Sequence, residues 1–285
     1  MFTKFLTIRC LSLSIKLVLL ISKLFRFYVL SSTHVGLAVL SLLAIVHLQY
    51  DLSWQYPLFI FVFCATIVTY NFIRYFPLSE ANATLIRPIF IFSLLAGIGL
   101  CISATKLTFH TLLLASFLGI LSFSYVLPNN RFFTGLRQLP YLKSFVVVGC
   151  WASVVVLLPL INHQSQLSIS TVVVWIQMAL WTFATMIPFE IRDSYGDSDR
   201  MKTIPQIFGI KGSKMIGTLS LIAVVILSYF LINEIEDMTP TVLTAAIAIV
   251  LLRKSNEEQS PYFASFWVES LPMVWLLSIL IWKWI

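Results

Sequence analysis

Charged residues are scarce in this sequence: only 11% of its 285 residues are Asp, Glu, Lys or Arg, whereas 59% are hydrophobic. Soluble domains have about 25% charged residues, so this composition excludes an ordinary soluble domain. The apolar runs are long and continuous rather than short and alternating, which excludes a membrane β-barrel. The fold class that remains is a polytopic all-α membrane protein, because helices satisfy their own backbone hydrogen bonds in lipid.

The sequence also lacks the usual cysteine and histidine patterns of a metal site. The four cysteines, Cys10, Cys64, Cys101 and Cys150, stand far apart and are expected to pack within the membrane. The four histidines are isolated from one another, so none indicates a metal site or a catalytic base. The formal net charge of +7 requires no nucleic-acid partner, because membrane topology accounts for it.

What the sequence has instead is a series of apolar runs that can cross a membrane. A span needs about 20 apolar residues, and shorter runs cross with help from tilt and burial. Nine candidate spans run roughly over 33–49, 57–76, 87–104, 109–127, 144–161, 171–190, 214–233, 239–252 and 262–282. They predict one membrane domain over residues 33–285.

The first 32 residues differ from the rest because they are apolar and basic at once. Arg9, Lys16 and Lys23 recur every seven residues, which places them in one stripe on a helix. Charge runs throughout residues 1–32 and no small-residue cleavage site follows, so the segment does not resemble a signal peptide. We expect an amphipathic helix on the cytoplasmic membrane surface. A first membrane span with snorkelling lysines is the alternative.

The distribution of basic residues predicts the orientation in the membrane. With the N-terminus inside and the spans alternating, the inner segments collect 17 of the 19 basic residues, and only Lys106 and Lys283 fall outside. The outer loops carry Asp51 and the acidic run at 234–237. Positive charge favours the cytoplasmic side, so we expect a cytoplasmic N-terminus and a C-terminus on the opposite side.

The densest charge lies just after the sixth span, where four carboxylates and three basic residues fall between Glu190 and Thr203. On a helix, Glu190, Asp193 and Asp197 sit at i, i+3 and i+7 and share one face. Carboxylates that converge in this way suit a shared Mg²⁺, which takes oxygen ligands and is often bound together with substrate phosphates. The alternative is a solvated helix end whose acids pair with neighbouring basic residues.

This stretch resembles a known family motif. The run Glu-x-x-Arg-Asp-x-x-Gly-Asp-x-x-x-x-Lys-Thr-x-Pro, followed by Phe208-Gly209, is similar to the second aspartate-rich motif of the UbiA superfamily of membrane prenyltransferases. The resemblance implies a nine-helix transmembrane bundle. It also implies that Glu190, Asp193 and Asp197 help to bind Mg²⁺ and the diphosphate of an isoprenoid donor, with Lys202 near the diphosphate.

The first aspartate-rich motif of that family is absent. The chain keeps Asn71, but Phe72, Tyr75 and Ser79 stand where the resemblance would place three aspartates. One interpretation is that this half of the site has decayed and the protein no longer transfers prenyl groups. The other is that Asn71 and Arg74, one turn apart, bind the diphosphate directly, and that Arg74 takes the place of a metal because its fork of donors suits phosphate oxygens.

Two further basic residues and one acid complete the candidates. By analogy with the family, Arg137 and Lys143, in the loop between the fourth and fifth spans, bind the diphosphate. For each residue taken alone, an ordinary positive-inside anchor is the more usual role. Glu269 lies inside the ninth span, where an ionisable group usually faces a cavity or a partner.

Taken together, the residues and the resemblance predict an integral membrane prenyltransferase that uses Mg²⁺. Its predicted partners are an isoprenoid diphosphate, a lipid-soluble acceptor and the surrounding lipids. Asp193 and Asp197 are the predicted catalytic residues, and the active-site loops face the cytoplasm. The alternative function, from a different class, is a non-catalytic isoprenoid-binding or accessory membrane protein that kept the fold. A transporter is disfavoured by the lack of an inverted repeat.

Overall fold

The structure is a computed structural model that describes residues 17–75, 83–126, 142–194, 202–231 and 238–284. These residues form ten helices and, within those ranges, no strand. In chain order the helices are α1 (Leu17–Leu30), α2 (Thr33–Gln49), α3 (Tyr56–Tyr75), α4 (Ala83–Ala104), α5 (Phe109–Val126), α6 (Leu142–Ala152, the π-helical Ser153–Leu157 and Leu158–Asn162), α7 (Ile169–Asp193), α8 (Ile204–Leu231), α9 (Thr239–Lys254) and α10 (the π-helical Phe263–Val268 and Leu271–Trp282).

The predicted all-α membrane architecture is confirmed, and the nine predicted spans correspond to α2–α10. Within the part of the chain that the structure describes, six helices are long and apolar enough to cross a membrane: α3, α4, α6, α7, α8 and α10. The pair α1 and α2, bent by 56° at its junction, would make a seventh if it forms one span. The count of nine spans stays a prediction, as does the surface helix over 1–32, of which residues 1–16 lie outside the described ranges.

One predicted boundary is wrong by ten residues. The seventh span was expected to begin at 214, whereas α8 begins at Ile204 and is kinked at Gly209. The φ of +66° and ψ of 172° at Gly209 lie in a region that is essentially restricted to glycine. A side chain at this position would therefore strain the kink that joins the first turn of α8 to its long apolar part.

The centre of the bundle is α7, which packs against α6, α8, α9 and the start of α10. Trp181 of α7 stacks at a tilt on Trp275 of α10, with ring centroids 4.5 Å apart, and both side chains are buried. Gln177 donates hydrogen bonds from Nε2 to Ser228 Oγ at 2.6 Å and to the Val224 carbonyl at 3.2 Å, both in α8. Aromatic packing and interhelical hydrogen bonds hold helices together in lipid, where water provides no hydrophobic drive.

A polar cluster ties α3 to the α1–α2 junction and to α4. Asn71 accepts a hydrogen bond at Oδ1 from Ser32 Oγ at 2.8 Å. Its Nδ2 donates to the Ser31 carbonyl at 3.1 Å and to Ser93 Oγ at 2.8 Å. The side chain is buried, so these contacts satisfy an amide that would otherwise be costly inside the membrane.

We expect Asn71→Ala to lower the free energy of unfolding by about 2–4 kcal/mol, because three hydrogen bonds are lost and their partners stay buried. The measurement is the thermal unfolding midpoint of purified protein in detergent. Ser41→Ala is the matched control, since Ser41 bonds only to Leu37 O within its own helix. Equal midpoints for the two variants would contradict the linking role of Asn71.

Candidate functional site

A cavity of about 1020 Å³ lies among α2–α7 and α10. Most of its wall is apolar, and its charged lining residues within the described ranges are Arg74, Arg192, Asp193 and Glu269. Arg74 stands at the end of α3, Arg192 and Asp193 end α7, and Glu269 lies near the start of α10. The cavity thus has one charged end and a long apolar body.

Contacts among the described residues show that these helix ends lie on the same side of the bundle. His34, near the start of α2, contacts the Phe266 carbonyl of α10 through Nε2 at 3.0 Å. Gln259, between α9 and α10, donates to the Pro188 carbonyl of α7 at 2.7 Å. From Phe61 to Arg74 the cavity follows fourteen residues of α3, a rise of about 20 Å at 1.5 Å per residue.

Arg74 is fixed by the end of α1. Its Nη1 donates to the carbonyls of Val29 at 3.4 Å and Leu30 at 3.5 Å. Basic side chains commonly satisfy the last carbonyls of a helix in this way. Both bonds use the same nitrogen, and a guanidinium has five N–H donors. Arg74 therefore has donor capacity left for a ligand in the cavity that it lines.

Arg192 and Asp193 form a bidentate pair at the end of α7. Arg192 Nε donates to Asp193 Oδ1 at 2.8 Å, and Nη2 donates to Oδ2 at 3.3 Å. The Asp193 side chain is 42% exposed, so solvent weakens the pair and a ligand can reach the carboxylate. The guanidinium also lies over the Phe189 ring, 5.3 Å from its centroid. The geometry leaves both groups accessible at the cavity wall.

Glu190 is placed differently from Asp193, although one helix turn separates them. It is only 2% exposed and does not line the cavity. Ser144 Oγ in α6 donates to its Oε1, and the Ile204 backbone N–H donates to its Oε2 at 3.2 Å. The Ile204 N–H belongs to the first turn of α8, where an anion is stabilised by unpaired N–H groups. The carboxylate thus links three helices.

The Lys-Thr-x-Pro part of the motif forms the start of α8. Thr203 precedes α8, and its N–H donates to Gln206 Oε1 at 2.9 Å, which is one half of a capping box. Pro205 occupies the first turn, where its missing N–H costs nothing. Lys202 is exposed, with a φ of +46°, just before this helix start.

The remaining predicted site residues fall into two groups. Asn71 is buried in the polar cluster described above and does not line the cavity. Lys143 lies in the first turn of α6, but its side chain is outside what the structure describes, as are Arg137 and Asp197 altogether. Of the five predicted site residues whose side chains the structure describes, Arg74 and Asp193 line the cavity.

The residues of the described ranges include no group of three His, Cys, Asp or Glu side chains that could hold a metal. Asp193 supplies one accessible carboxylate at the cavity, whereas both oxygens of Glu190 already accept hydrogen bonds. A Mg²⁺ site at this position would therefore depend on Asp193 together with Asp197, which follows it by four residues. The Mg²⁺ prediction stands untested.

Two cavity residues were not singled out by the sequence. Trp151 of α6 donates from Nε1 to the Tyr70 hydroxyl of α3 at 2.8 Å, and both side chains line the cavity. With 10 Tyr and 8 Trp in the chain, residue type alone could not identify this pair. Arg192 also lines the cavity. The sequence predicts it only as an ion-pair partner of the neighbouring acids.

Comparison with known proteins supports the architecture. No family model matches the sequence, and no curated protein matches it. A solved structure of a UbiA homolog from Aeropyrum pernix K1, in its apo form, superimposes with a TM-score of 0.62 at 15% identity, covering 86% of this chain and 97% of that chain. Digeranylgeranylglyceryl phosphate synthase superimposes with a TM-score of 0.54 at 16% identity, covering 91% and 98%. The chain therefore has the fold of the UbiA-type membrane prenyltransferases.

Proposed function

We propose that the protein is a membrane prenyltransferase that moves an isoprenoid group from its diphosphate to a lipid-soluble acceptor, with Mg²⁺ as cofactor. The observation that carries this proposal is the cavity: a long apolar body that ends at two guanidinium groups, Arg74 and Arg192. An isoprenoid diphosphate has the same division into a hydrocarbon chain and an anionic head. The likeness in fold to the two solved structures supports the same reaction class.

The two arginines suit the leaving group. Arg74 comes from α3 and Arg192 from α7, so their guanidinium groups approach the charged end of the cavity from different helices. Guanidinium groups donate paired hydrogen bonds to phosphate oxygens and stay charged at all relevant pH values. They would stabilise the negative charge that develops on the diphosphate as the allylic carbon–oxygen bond breaks.

The aromatic side chains of the cavity wall suit the isoprenoid fragment that remains when the diphosphate leaves. The carbon left by the diphosphate becomes cation-like, and Tyr70, Trp151 and Phe189 line the cavity. Aromatic faces attract a cation, and the apolar wall keeps water from capturing it. The hydrogen bond from Trp151 to Tyr70 fixes the orientation of both rings.

Charge balance supports a metal cofactor. Among the described residues that line the cavity, two are basic, Arg74 and Arg192, and two are acidic, Asp193 and Glu269, so their formal charges sum to zero. A diphosphate would add uncompensated negative charge, which is costly in a membrane protein interior. We assign Asp193 and Asp197 to Mg²⁺, and Glu190 to positioning the end of α7. When bound, Mg²⁺ would supply positive charge to the diphosphate oxygens.

The proposed site is atypical because the first aspartate-rich motif is absent. Arg74 lies in that segment and lines the cavity, so a fixed cation takes the place of a second metal site there. We retain Lys202, Arg137 and Lys143 as proposed diphosphate-binding residues. The proposed orientation puts this end in the cytoplasm, where diphosphates are made, with the C-terminus on the opposite side.

A second candidate function is a non-catalytic isoprenoid-binding protein. The observation that favours it is the bidentate pair between Arg192 and Asp193, which occupies a carboxylate that the metal needs. Incubating purified protein with Mg²⁺, a panel of prenyl diphosphates and a membrane-lipid extract as the source of acceptor separates the two functions. Release of pyrophosphate supports the enzyme, whereas saturable binding without release supports the binding protein.

We expect Arg74→Ala to weaken binding of a non-hydrolysable donor analogue, farnesyl thiolodiphosphate, by about 10- to 100-fold, because a charge-assisted hydrogen bond to phosphate is lost. The dissociation constant is measured by competition against radiolabelled farnesyl diphosphate. Arg253→Ala is the matched control, since Arg253 is exposed at the end of α9 and does not line the cavity. Unchanged affinity in Arg74→Ala would remove Arg74 from the site.

A further inference from the structure

Glu269 is an acidic side chain that a local break in α10 directs into the cavity. It follows the π-helical segment Phe263–Val268, and its N–H donates to the Ala264 carbonyl at 3.2 Å, five residues back. Such a wide turn rotates the residues after it relative to a regular helix, and π-helical turns are frequent at functional sites. Glu269 therefore faces the bundle interior and not the lipid.

The carboxylate of Glu269 lacks hydrogen-bond donors. Within the described ranges of the chain, no side chain or backbone group donates a hydrogen bond to it, although Arg74 and Arg192 are close enough to interact with it electrostatically. A carboxylate inside a membrane protein is costly without partners, and polar groups at such depth usually serve a ligand. The missing donor would come from whatever occupies the cavity.

The charges around Glu269 restrict the chemistry of that donor. A cationic ligand group would be repelled by the two neighbouring guanidinium groups, which are also needed for the diphosphate. A second anionic group beside the diphosphate would be repelled by the diphosphate and by the ionised Glu269. A neutral O–H group can donate a hydrogen bond to the Glu269 carboxylate. It carries no charge that the guanidinium groups or the carboxylate would repel.

We propose that Glu269 binds the hydroxyl group of the prenyl acceptor and accepts its proton during transfer, an inference that rests on the proposed function. The acceptor oxygen forms a bond to the allylic carbon, and the bond from that carbon to the diphosphate oxygen breaks. The diphosphate leaves with the electron pair of the broken bond, and the acceptor proton moves to the Glu269 carboxylate. Glu269 is thus the general base, and Arg74 and Arg192 stabilise the leaving group.

The first experiment measures recognition without turnover. The full chain in detergent is titrated with 1-naphthol and with 1-methoxynaphthalene, which has the same ring but no O–H group. Glu269→Leu should weaken 1-naphthol binding about tenfold, the loss expected for a hydrogen bond to a charged group, and leave the ether unchanged. Because partition into detergent is the same for both proteins, it cancels in the ratio of wild type to variant. Equal losses for both compounds, or none, would overturn the proposal.

The second experiment measures transfer. With radiolabelled farnesyl diphosphate and 1-naphthol, Glu269→Gln should lower kcat by about 10²- to 10⁴-fold, the usual contribution of a general base. Its affinity for farnesyl thiolodiphosphate should change less than threefold, which also shows that the variant is folded. Transfer at the wild-type rate, or a joint loss of donor binding, would overturn the role of Glu269.

The two proposals fail in different ways. Wild-type protein that binds no farnesyl thiolodiphosphate contradicts the proposed function, whatever Glu269 does. Wild-type protein that binds the donor analogue, but binds 1-naphthol no differently after Glu269→Leu, contradicts only the assignment of Glu269.

Discussion

Glu190→Ala is expected to lower the free energy of unfolding by about 3 kcal/mol or more, even without Mg²⁺. The buried carboxylate accepts hydrogen bonds from Ser144 Oγ and the Ile204 N–H, and hydrogen bonds to charged groups contribute about 1.5–3 kcal/mol each. Its removal leaves both donors without this acceptor and opens a cavity where α6, α7 and the start of α8 meet.

The midpoint of unfolding in detergent, with EDTA present, measures this effect. Glu190→Gln keeps one side-chain oxygen as an acceptor and should be intermediate. Glu257→Ala is the control, because Glu257 is exposed and accepts a long bond from Ser194 Oγ at 3.3 Å. A Glu190→Ala protein that is as stable as wild type in EDTA, but is no longer stabilised by Mg²⁺, would identify Glu190 as a metal ligand instead.

The fold could be predicted because lipid leaves few alternatives. Each apolar run must be a helix to satisfy its backbone, so the predicted ends of α2–α7 agree with the structure to within a few residues. The start of α8 could not be found in this way. Lys211 and Lys214 interrupt the apolar run, and the first turn before Gly209 is held by capping and by Glu190, which hydropathy does not measure.

The candidate site was predictable only in part, because spacing along one helix does not reveal what other helices bring. The i, i+3 spacing placed Glu190 and Asp193 on neighbouring positions of one face. It could not show that Ser144 of α6 meets Glu190 and removes it from the cavity. Spacing along α3 likewise could not show that the serines hydrogen-bonded to Asn71 come from α4 and from the junction of α1 and α2.

A lone acid in an apolar run indicated the site better than the spacing of acids along one helix did. Glu269 could be recognised from the sequence because burying it in a membrane needs a reason, and it lines the cavity. Arg74 could be recognised only through the family resemblance, because it follows Asn71 by three residues in the segment of the first aspartate-rich motif. In the part of the chain that the structure describes, intramembrane charge thus indicates Glu269 as a cavity residue, and the family resemblance indicates Arg74 and Asp193. Arg192 was expected only to pair with the acids.

Asp193→Asn should lower kcat for prenyl transfer by about 10²- to 10³-fold, the usual cost of removing one group that stabilises transition-state charge. It should also abolish the dependence of donor-analogue binding on Mg²⁺. The amide keeps the size of the side chain and can still accept from Arg192, so the end of α7 should stay in place and the unfolding midpoint should change little. In EDTA, the affinity for farnesyl thiolodiphosphate should rise, because one negative charge has left the cavity wall.

Mg²⁺ titrations of wild type, Asp193→Asn and the Glu257→Gln control measure both effects. If the analogue binds Asp193→Asn as tightly in Mg²⁺ as it binds wild type, then the pair of Arg192 and Asp193 is only structural, and the two arginines hold the diphosphate without a metal at this position.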